Sequence, residues 1–301
     1  MNSTDVVQIL VSGLTVGSVL ALVALGYNLV FSTTRIVNFA QGSMLVIAGF
    51  IAFALTRSGV PIWVALFWTV IFSMGVGVIV ELVAIRPLGR FDPSTNVAWI
   101  LTTFSVGLIA IDLIRITVDA QAHPLPPLLT SVFGWDGSRV SGVAITPTDL
   151  LIVVSTIVLM VSIEMLQART MLGKAFRAVA QDRQAASLMG INTTAVVRMT
   201  FALAGAVAAI GAVLLAPKLF VKLENGLLLG IQAFIAAVLG GLGSTRGAVV
   251  GGYTIAFTSA IVKSISQTSP RYEPIVIFAL FLGVLVFRPA GIFGTPAVEK
   301  V

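Results

Sequence analysis

Long runs of apolar residues, many of them close to twenty residues in length, follow one another along this chain with short polar stretches between them. A helix needs about 20 largely apolar residues to cross the hydrocarbon core of a bilayer. The chain is 57% hydrophobic and 10% charged, whereas a soluble domain carries about 25% charged residues. These runs therefore predict an all-α integral membrane protein.

Nine apolar segments are candidate membrane crossings. A helix rises 1.5 Å per residue, so residues 227–239 would cover only about 20 Å of a core about 30 Å thick and are expected not to cross alone. Residues 36–56 start with several polar side chains, and this segment is also expected to be interrupted. The nine segments are residues 6–30, 36–56, 61–83, 96–116, 148–166, 195–216, 227–239, 248–265 and 273–287.

The order of these segments divides one transmembrane domain, residues 1–301, into two similar halves. Four segments precede a single central segment and four follow it, so the first segments of the two halves run in opposite directions. This is the inverted-repeat plan of many transporters, in which interrupted helices at matched positions indicate the binding site. The predicted parts are a first repeat (6–116), an external loop (117–147), a central span (148–166), a cytoplasmic coupling loop (167–194), a second repeat (195–287) and a cytoplasmic tail (288–301).

Basic residues in the short loops predict the orientation, because cytoplasmic loops carry an excess of lysine and arginine. Most of them fall in alternate loops, which places the N-terminus outside and the C-terminus inside. The same loops account for the net charge of +6 without a continuous basic patch, so nucleic acid is not an expected partner. The residues assigned to the cytoplasm include Arg35, Arg86, Arg90, Arg169, Lys174, Arg177, Arg183, Arg246, Arg288 and Lys300.

Polar residues at the start of the second segment predict a solute pathway. Unpaired polar groups are costly in hydrocarbon, so a function for them is expected. Gly42, in their midst, would let the backbone come close to a passing solute. The alternative is that these side chains only form hydrogen bonds between helices. The candidate pathway residues are Asn38, Gln41, Gly42 and Ser43, with Thr102 and Thr103 expected to face them from the fourth segment.

Residues 167–192 are the one long polar interruption in the second half of the chain. Residues 174–189 contain no glycine or proline and predict a single helix, with Gly190 just past its end. Small side chains recur along it at helical spacing and predict a face for close contact with a cytoplasmic partner. An amphipathic helix lying on anionic lipid is the alternative. The candidate contact residues are Gly173, Asp182, Ala186 and Gly190.

Several kinds of chemistry find no support in the sequence. The chain has no G-x-x-x-x-G-K-[ST] motif for ATP and no recognisable nucleophile–base pair, so it is not expected to be an enzyme. It contains no cysteine, and its only histidine, His123, lies in the external loop, so neither a metal site nor a cofactor is expected in this chain. Asp112 and Arg115 are one helical turn apart near the end of a span and can neutralise each other.

Four sequence motifs, in order along the chain, carry a family resemblance. They are GYNLVFSTTRIVNFAQGSMLVIAGF, GKAFRAVAQDRQAASLMGIN, AAVLGGLGSTRGAVVGG and RPAGIFG. They resemble, in turn, the N-terminal signature, the cytoplasmic coupling segment, the glycine turn and the closing motif of the branched-chain amino acid ABC transporter permeases of LivH type. Gln41 and Gln181 stand where members often have histidine and glutamate. The resemblance covers essentially the whole chain.

This resemblance implies a permease subunit in the bacterial cytoplasmic membrane, surrounded by membrane lipid, that imports branched-chain or related amino acids. Such permeases pair with a homologous second permease (LivM-like), receive solute from an external solute-binding protein and are driven by two cytoplasmic ATPase subunits that use ATP. The resemblance also implies that Asp182, Ala186 and Gly190 lie on the helix that docks on an ATPase. Urea, amides or aromatic and carboxylic acids are alternative solutes for the same machinery. An ion-coupled secondary transporter is the alternative of a different class.

Overall fold

The computed structural model of this chain describes residues 3–88, 97–118, 121–128, 138–140, 143–265 and 272–294. Helices account for most of these residues. The helices of the first half are α1 (Ser3–Thr34), α2 (Gln41–Arg57), α3 (Ile62–Val80) and α4 (Ala98–Thr117), and α3 continues into a π-helical turn (Glu81–Ile85) and a 3-10 turn (Arg86–Leu88). The later helices are α5 (Pro147–Arg169), α6 (Met171–Gln181), α7 (Arg183–Leu188), α8 (Thr193–Leu219), α9 (Glu224–Gly240), α10 (Thr245–Ile265) and α11 (Tyr272–Phe287).

Five helical segments in the described part of the chain are long and apolar enough to cross a bilayer. They belong to α1, α3, α4, α5 and α8, while α2, α9 and α11 are apolar but shorter. In their most apolar stretches, 67% of α1 and 78% of α8 are buried, against 17% of α4 and of α5. The helices α1 and α8 therefore form the centre of the protein, and α4 and α5 present apolar side chains outward. This arrangement is that of a helical membrane protein.

Hydrogen bonds between distant helices define two ends of the bundle. The Thr15 hydroxyl in α1 donates to Asp149 in α5 at 2.7 Å, and Lys218 in α8 forms an ion pair with the same carboxylate. We call this end the N-terminal face. At the opposite face, the amide nitrogen of Asn28 donates to the carbonyl oxygen of Ser244, before α10, at 2.9 Å. The helices α1 and α8 thus run in opposite directions.

Two residues with positive φ end the two central helices. Arg35 follows α1 with a φ of 58°, and Phe220 follows α8 with a φ of 57°. This left-handed region is uncommon for residues other than glycine. In both places the chain turns back within a few residues and begins a shorter helix, α2 or α9. The interruption in the first half thus occupies residues 35–40, which confirms that the second segment does not begin as a helix.

The interruption in the second half differs from the prediction. A loop was expected before residue 227 and an interrupted segment after it, but α8 continues through Pro217 to Leu219, and α9 is an unbroken helix from Glu224. Only residues 220–223 are non-helical in this region. The Phe220 N–H still donates to the carbonyl oxygen of Ala216 at 2.9 Å, so the helical hydrogen bonding persists past the proline.

Part of the predicted external loop is extended rather than helical or irregular. The strands β1 (Ser138–Val140) and β2 (Val143–Ile145) form an antiparallel hairpin in which Arg139 pairs with Ala144. The β-branched residues Val140, Val143 and Ile145 favour this extended conformation. This hairpin lies within the predicted external loop, and the apolar segments are helical, as predicted. Other parts of the predicted loops and tail, including Arg90 and Lys300, lie outside the described residues.

Candidate functional site

The two short helices that follow the chain breaks cross each other at glycines. A Cβ atom on Gly42 of α2 would overlap the carbonyl oxygen of Gly226 in α9 and would lie 2.9 Å from the Cα of Gly230. Any larger residue at position 42 would push the two backbones apart. Gly42 therefore allows a close approach, as the sequence predicted, but the partner in this structure is the backbone of α9.

Asn38 holds the start of α2 in place. Its Oδ1 accepts from the Ala40 N–H at 3.2 Å, and its carbonyl oxygen accepts from the Gln41 N–H at 3.1 Å. Its Nδ2 lies 3.5 Å from the sulfur of Met44, and the side chain is fully buried. Asn38 thus satisfies backbone groups that the missing helical turn leaves without partners.

Gln41 faces the centre of the protein. Its Nε2 donates to the carbonyl oxygen of Ala204 in α8 at 3.2 Å, and the side chain packs against the backbone of Gly26 in α1. Its Oε1 is buried and has no hydrogen-bond partner among the described residues. Gln41 thus links α2 to both central helices, and its side chain is not part of the cavity described next.

A shallow recess with a cavity volume of about 40 Å³ lies between α2, α4 and α9. Ser43 contributes a hydroxyl to its wall, and the Tyr27 hydroxyl at its edge donates to the carbonyl oxygen of Gly230 at 3.1 Å. The rest of the wall is apolar or glycine: Phe39, Phe104, Leu108, Ile111, Gly226, Leu227, Gly230, Ile231 and Phe234. A mostly apolar wall with a few polar groups is typical of small-molecule sites, but this recess is much smaller than most such sites, which measure about 300–1,000 Å³.

Part of the wall of the recess, and residues next to it, are exposed on the surface of this chain. Leu101 and Leu108 of α4 and Leu227, Leu228 and Ile231 of α9 are all exposed around it. A solute in this recess would meet lipid on this exposed side unless another protein covered it.

The two threonines of α4 have different positions. Thr103 is fully buried; its hydroxyl donates to the carbonyl oxygen of Trp99 at 2.7 Å and accepts from the Phe39 N–H at 3.3 Å. It therefore joins α4 to the break before α2. Thr102 donates to the carbonyl oxygen of Trp99 at 3.3 Å, within its own helix.

Of the six candidate pathway residues, only Ser43 has its side chain in the wall of the recess.

The polar stretch forms two helices, so the prediction of one helix over residues 174–189 is wrong. Asp182 separates α6 from α7 with an extended backbone, φ −154° and ψ 109°. Its carboxylate accepts from the N–H groups of Gln184 and Ala185 at 2.8 and 2.9 Å and caps α7. This capping competes with continuation of the helix. Gly190 lies just past the end of α7 with a φ of 84°, as predicted.

The small side chains of this stretch face the chain's own core. Ala186 is 5% exposed, and Val179 and Phe176 are buried in the same hydrophobic cluster. Gly173 is also buried, where a Cβ would lie 2.5 Å from the carbonyl carbon of Gln167. Ala186, which was expected on a contact face, is therefore buried within the chain itself, where α7 contacts α6 and α8.

The exposed surface of this polar stretch carries several large apolar side chains. Leu188 is 88% exposed and Met189 is 83% exposed, and Met171 at the start of α6 is also exposed. Asp182 and Gly190 are exposed beside them. The spacing of small side chains did not indicate these large apolar residues, although Leu188 and Met189 stand directly before Gly190 in the sequence.

One buried acid was not identified from the sequence. Glu81 is 3% exposed and starts the π-helical turn after α3. Its Oε2 lies 3.4 Å from the Nε of Arg198 in α8. A second ion pair joins Glu164 of α5 to Arg246 of α10 at 2.6 Å. An acid within an apolar run is the sequence signal that could have identified Glu81.

Comparisons with known proteins give a consistent result over nearly the whole chain. Residues 9–285 match a family model described as the permease component of a branched-chain amino acid transport system. The chain is 36% identical to the high-affinity branched-chain amino acid transport system permease protein BraD of Pseudomonas aeruginosa, covering 98% of this chain and 97% of that protein. It is 32% identical to LivH of Escherichia coli K12, a permease protein of the same description, with the same coverage.

A solved structure has a similar fold. PsaBC from Streptococcus pneumoniae in complex with Fab aligns with a TM-score of 0.50 and 13% identity, covering 96% of this chain and 94% of that chain. At this identity the likeness concerns the fold alone.

Proposed function

Since the chain belongs to the permease-component family of branched-chain amino acid transport systems, we propose that it carries branched-chain amino acids across the cytoplasmic membrane as the permease subunit of an ABC importer. The observation that carries this proposal is the family match over residues 9–285. Membership of this family favours an ATP-driven importer over the ion-coupled secondary transporter that the sequence left open.

The proposed architecture has nine crossing elements in two inverted halves. The helices α1 to α4 form the first half, α5 is the central span, and α8 to α11 form the second half. Three features support this: α1 and α8 run in opposite directions, each is followed by a residue with positive φ, and each is then followed by a shorter helix. The crossing of those two shorter helices at Gly42, Gly226 and Gly230 would then lie at the interface of the two halves.

We assign the N-terminal face to the outside of the cell. Arg35, Arg246 and the polar stretch that contains Lys174 and Arg183 then face the cytoplasm, as the positive-inside rule requires. Some basic residues, including Arg57 and Lys218, remain on the outer face, and Asp149 neutralises Lys218. The protein is accordingly a multi-pass inner-membrane permease with an external N-terminus and a cytoplasmic C-terminus.

The proposed pathway passes the recess between α2, α4 and α9. Ser43 and the Tyr27 hydroxyl supply its polar groups, and aliphatic and aromatic side chains suit the apolar side chain of a branched-chain amino acid. Asn38, Gln41, Gly42 and Thr103 hold the α2 break that shapes the wall. We propose that a second, homologous permease covers the exposed side of the recess, because exposed leucines lie along it.

The proposed ATPase contact is the exposed C-terminal end of α7 together with Asp182, which caps the start of that helix. Leu188 and Met189 present large apolar side chains beside Asp182 and Gly190. Apolar side chains that are this exposed at a helix end suit a pocket on a partner protein. ATP hydrolysis is assigned to two separate cytoplasmic subunits and solute capture to an external solute-binding protein.

Reconstitution tests this function. The chain is co-purified with its partner permease, ATPases and solute-binding protein, placed in proteoliposomes and supplied with ATP on the cytoplasmic side. We expect ATP-dependent uptake of L-leucine, L-isoleucine and L-valine, and no uptake with a non-hydrolysable ATP analogue. Uptake of urea or benzoate in place of these three would overturn the proposed solute class, and uptake by the chain alone without ATP would overturn the ABC importer.

A further inference from the structure

An exposed ion pair lies one helical turn from the recess. The Nη1 of Arg115 is 2.9 Å from the Oδ1 of Asp112, and their side chains are 57% and 58% exposed. Both residues are in the last two turns of α4. Gly107 lies against Ser43, and Ile111 contacts the position of Gly226, so α4 runs along the recess toward the N-terminal face.

The ion pair continues the wall of the recess. Phe104, Leu108 and Ile111 are the α4 residues of that wall. A helix turns by about 100° per residue, so Arg115 falls within the angular range of these three side chains, and Asp112 lies about 40° outside it on the side of Leu108. The two charges therefore stand at the outer end of the stripe that faces the recess.

Charges at this position need an explanation. Ionisable residues within membrane spans face a protein interior or a water-filled cavity, because exposure to lipid is costly. The exposed side of α4 is otherwise mostly apolar, including Ile109, Leu113 and Ile116, with Ser105 and Thr117 as its exposed hydroxyl residues. An isolated exposed pair contributes little to stability. Fold stability thus does not account for the pair.

We propose that Asp112 and Arg115 bind the ammonium and carboxylate groups of a zwitterionic amino acid while its aliphatic side chain enters the recess. This inference rests on the proposed function and specifies the solute subsite within it. The Arg115 guanidinium can bind a carboxylate through two parallel hydrogen bonds, and the Asp112 carboxylate accepts from an ammonium group. Without solute, the two side chains neutralise each other. When the solute binds, Asp112 pairs with its ammonium group and Arg115 with its carboxylate group, so no charge is left uncompensated.

The test uses the reconstituted complex with leucine-loaded solute-binding protein. The kcat of leucine uptake and the KM for the loaded binding protein are measured for Asp112→Asn, Arg115→Gln, Arg115→Lys and the charge-swapped double variant Asp112→Arg/Arg115→Asp. Loss of one charge-assisted hydrogen bond should lower kcat about tenfold with KM unchanged. Arg115→Lys keeps the charge and should fall between Arg115→Gln and the wild type. The charge swap should stay as slow as the single variants, because the two charges then meet the solute in the wrong order.

Arg57→Gln is the matched control, since Arg57 is an exposed cation at the end of α2 on the same face. This variant should keep the wild-type kcat and KM.

Restoration of kcat by the charge swap would show that the pair is only structural and would overturn the proposal. A raised KM at unchanged kcat would identify a docking surface for the binding protein instead, and wild-type kinetics in every variant would remove any role for the pair. If the wild-type complex takes up no leucine, the proposed function itself fails and this subsite fails with it, a result distinguishable from a defect confined to the variants.

Discussion

Gly42 in α2 and Gly230 in α9 bring the two short helices of the protein into backbone contact: a Cβ atom on Gly230 would lie 3.1 Å from the Cα of Gly42. Tyr27 of α1 reaches the same point through its hydrogen bond to the Gly230 carbonyl oxygen. Three helices therefore depend on the small size of these residues. The recess lies beside this contact, so its shape depends on the same crossing.

Gly42→Ala should destabilise the protein. The added methyl group would meet backbone atoms of Gly226 and Gly230, which cannot rotate away, and overpacking of this kind costs about 1–3 kcal/mol. Gly75→Ala in α3 is the control, because a Cβ there meets no atom within 4 Å and alanine favours the helix. Thermal unfolding in detergent should show a lower midpoint for Gly42→Ala alone; equal midpoints would contradict the tight crossing.

Ser43→Ala and Gln41→Leu should change different properties of the protein, because Ser43 lines the recess whereas Gln41 holds α2 against α8. Ser43→Ala removes a hydroxyl from the wall and should change the ratio of leucine to valine uptake without lowering thermal stability. Gln41→Leu removes the buried hydrogen bond to Ala204, worth about 1 kcal/mol, so it should lower stability and total turnover. Competition between the two radiolabelled solutes in proteoliposomes gives the ratio. An unchanged ratio in Ser43→Ala would argue against a pathway at this wall.

Leu188→Ala should weaken ATPase binding, because a large exposed apolar side chain that fills a partner pocket contributes more than about 1 kcal/mol when it is a hot spot. Titration of the purified permease with its ATPase subunit should show at least about a fivefold weaker Kd. Leu282→Ala in α11, another exposed leucine, should bind as wild type does. Ala186→Trp, by contrast, should unfold this region, because Ala186 is buried. Normal binding by Leu188→Ala would place the ATPase contact elsewhere.

Lys218→Met should be more destabilising than the double variant Asp149→Asn/Lys218→Met. The single change leaves the buried Asp149 carboxylate without its cation, a loss of about 1–3 kcal/mol in the free energy of unfolding. The double change removes both charges, and Thr15 and Thr146 can still hydrogen-bond to the asparagine. Urea unfolding in detergent measures the difference. Equal stability of the two variants would mean that the ion pair is not what holds α5 to α8.

Single cysteines in this cysteine-free chain should report the orientation. Ser58 follows α2 on the N-terminal face, Ser187 lies in α7, and both are exposed. A membrane-impermeant maleimide should label Ser58→Cys in intact cells and Ser187→Cys only after permeabilisation. The opposite pattern would invert the proposed topology while leaving the fold intact.

The sequence by itself determined the membrane class and most of the helices. Apolar runs of sufficient length can only satisfy their backbone as helices in a bilayer, and this rule placed α3, α5, α8 and α11 within a few residues of their observed bounds. Gly190 marked the end of α7 through its own backbone preference. These successes share a cause: each depends on residues that are neighbours along the chain.

The tertiary structure decided everything that depends on contacts between distant residues. Periodicity placed Ala186 on a helical face, but only the packing of α6 and α7 against other helices showed that this face is buried. The Glu81–Arg198 ion pair, the turn of Gln41 toward α8 and the crossing of Gly42 with Gly230 likewise join segments far apart in sequence. Side-chain direction at such places follows from the relative positions of whole helices, and no local pattern encodes those positions.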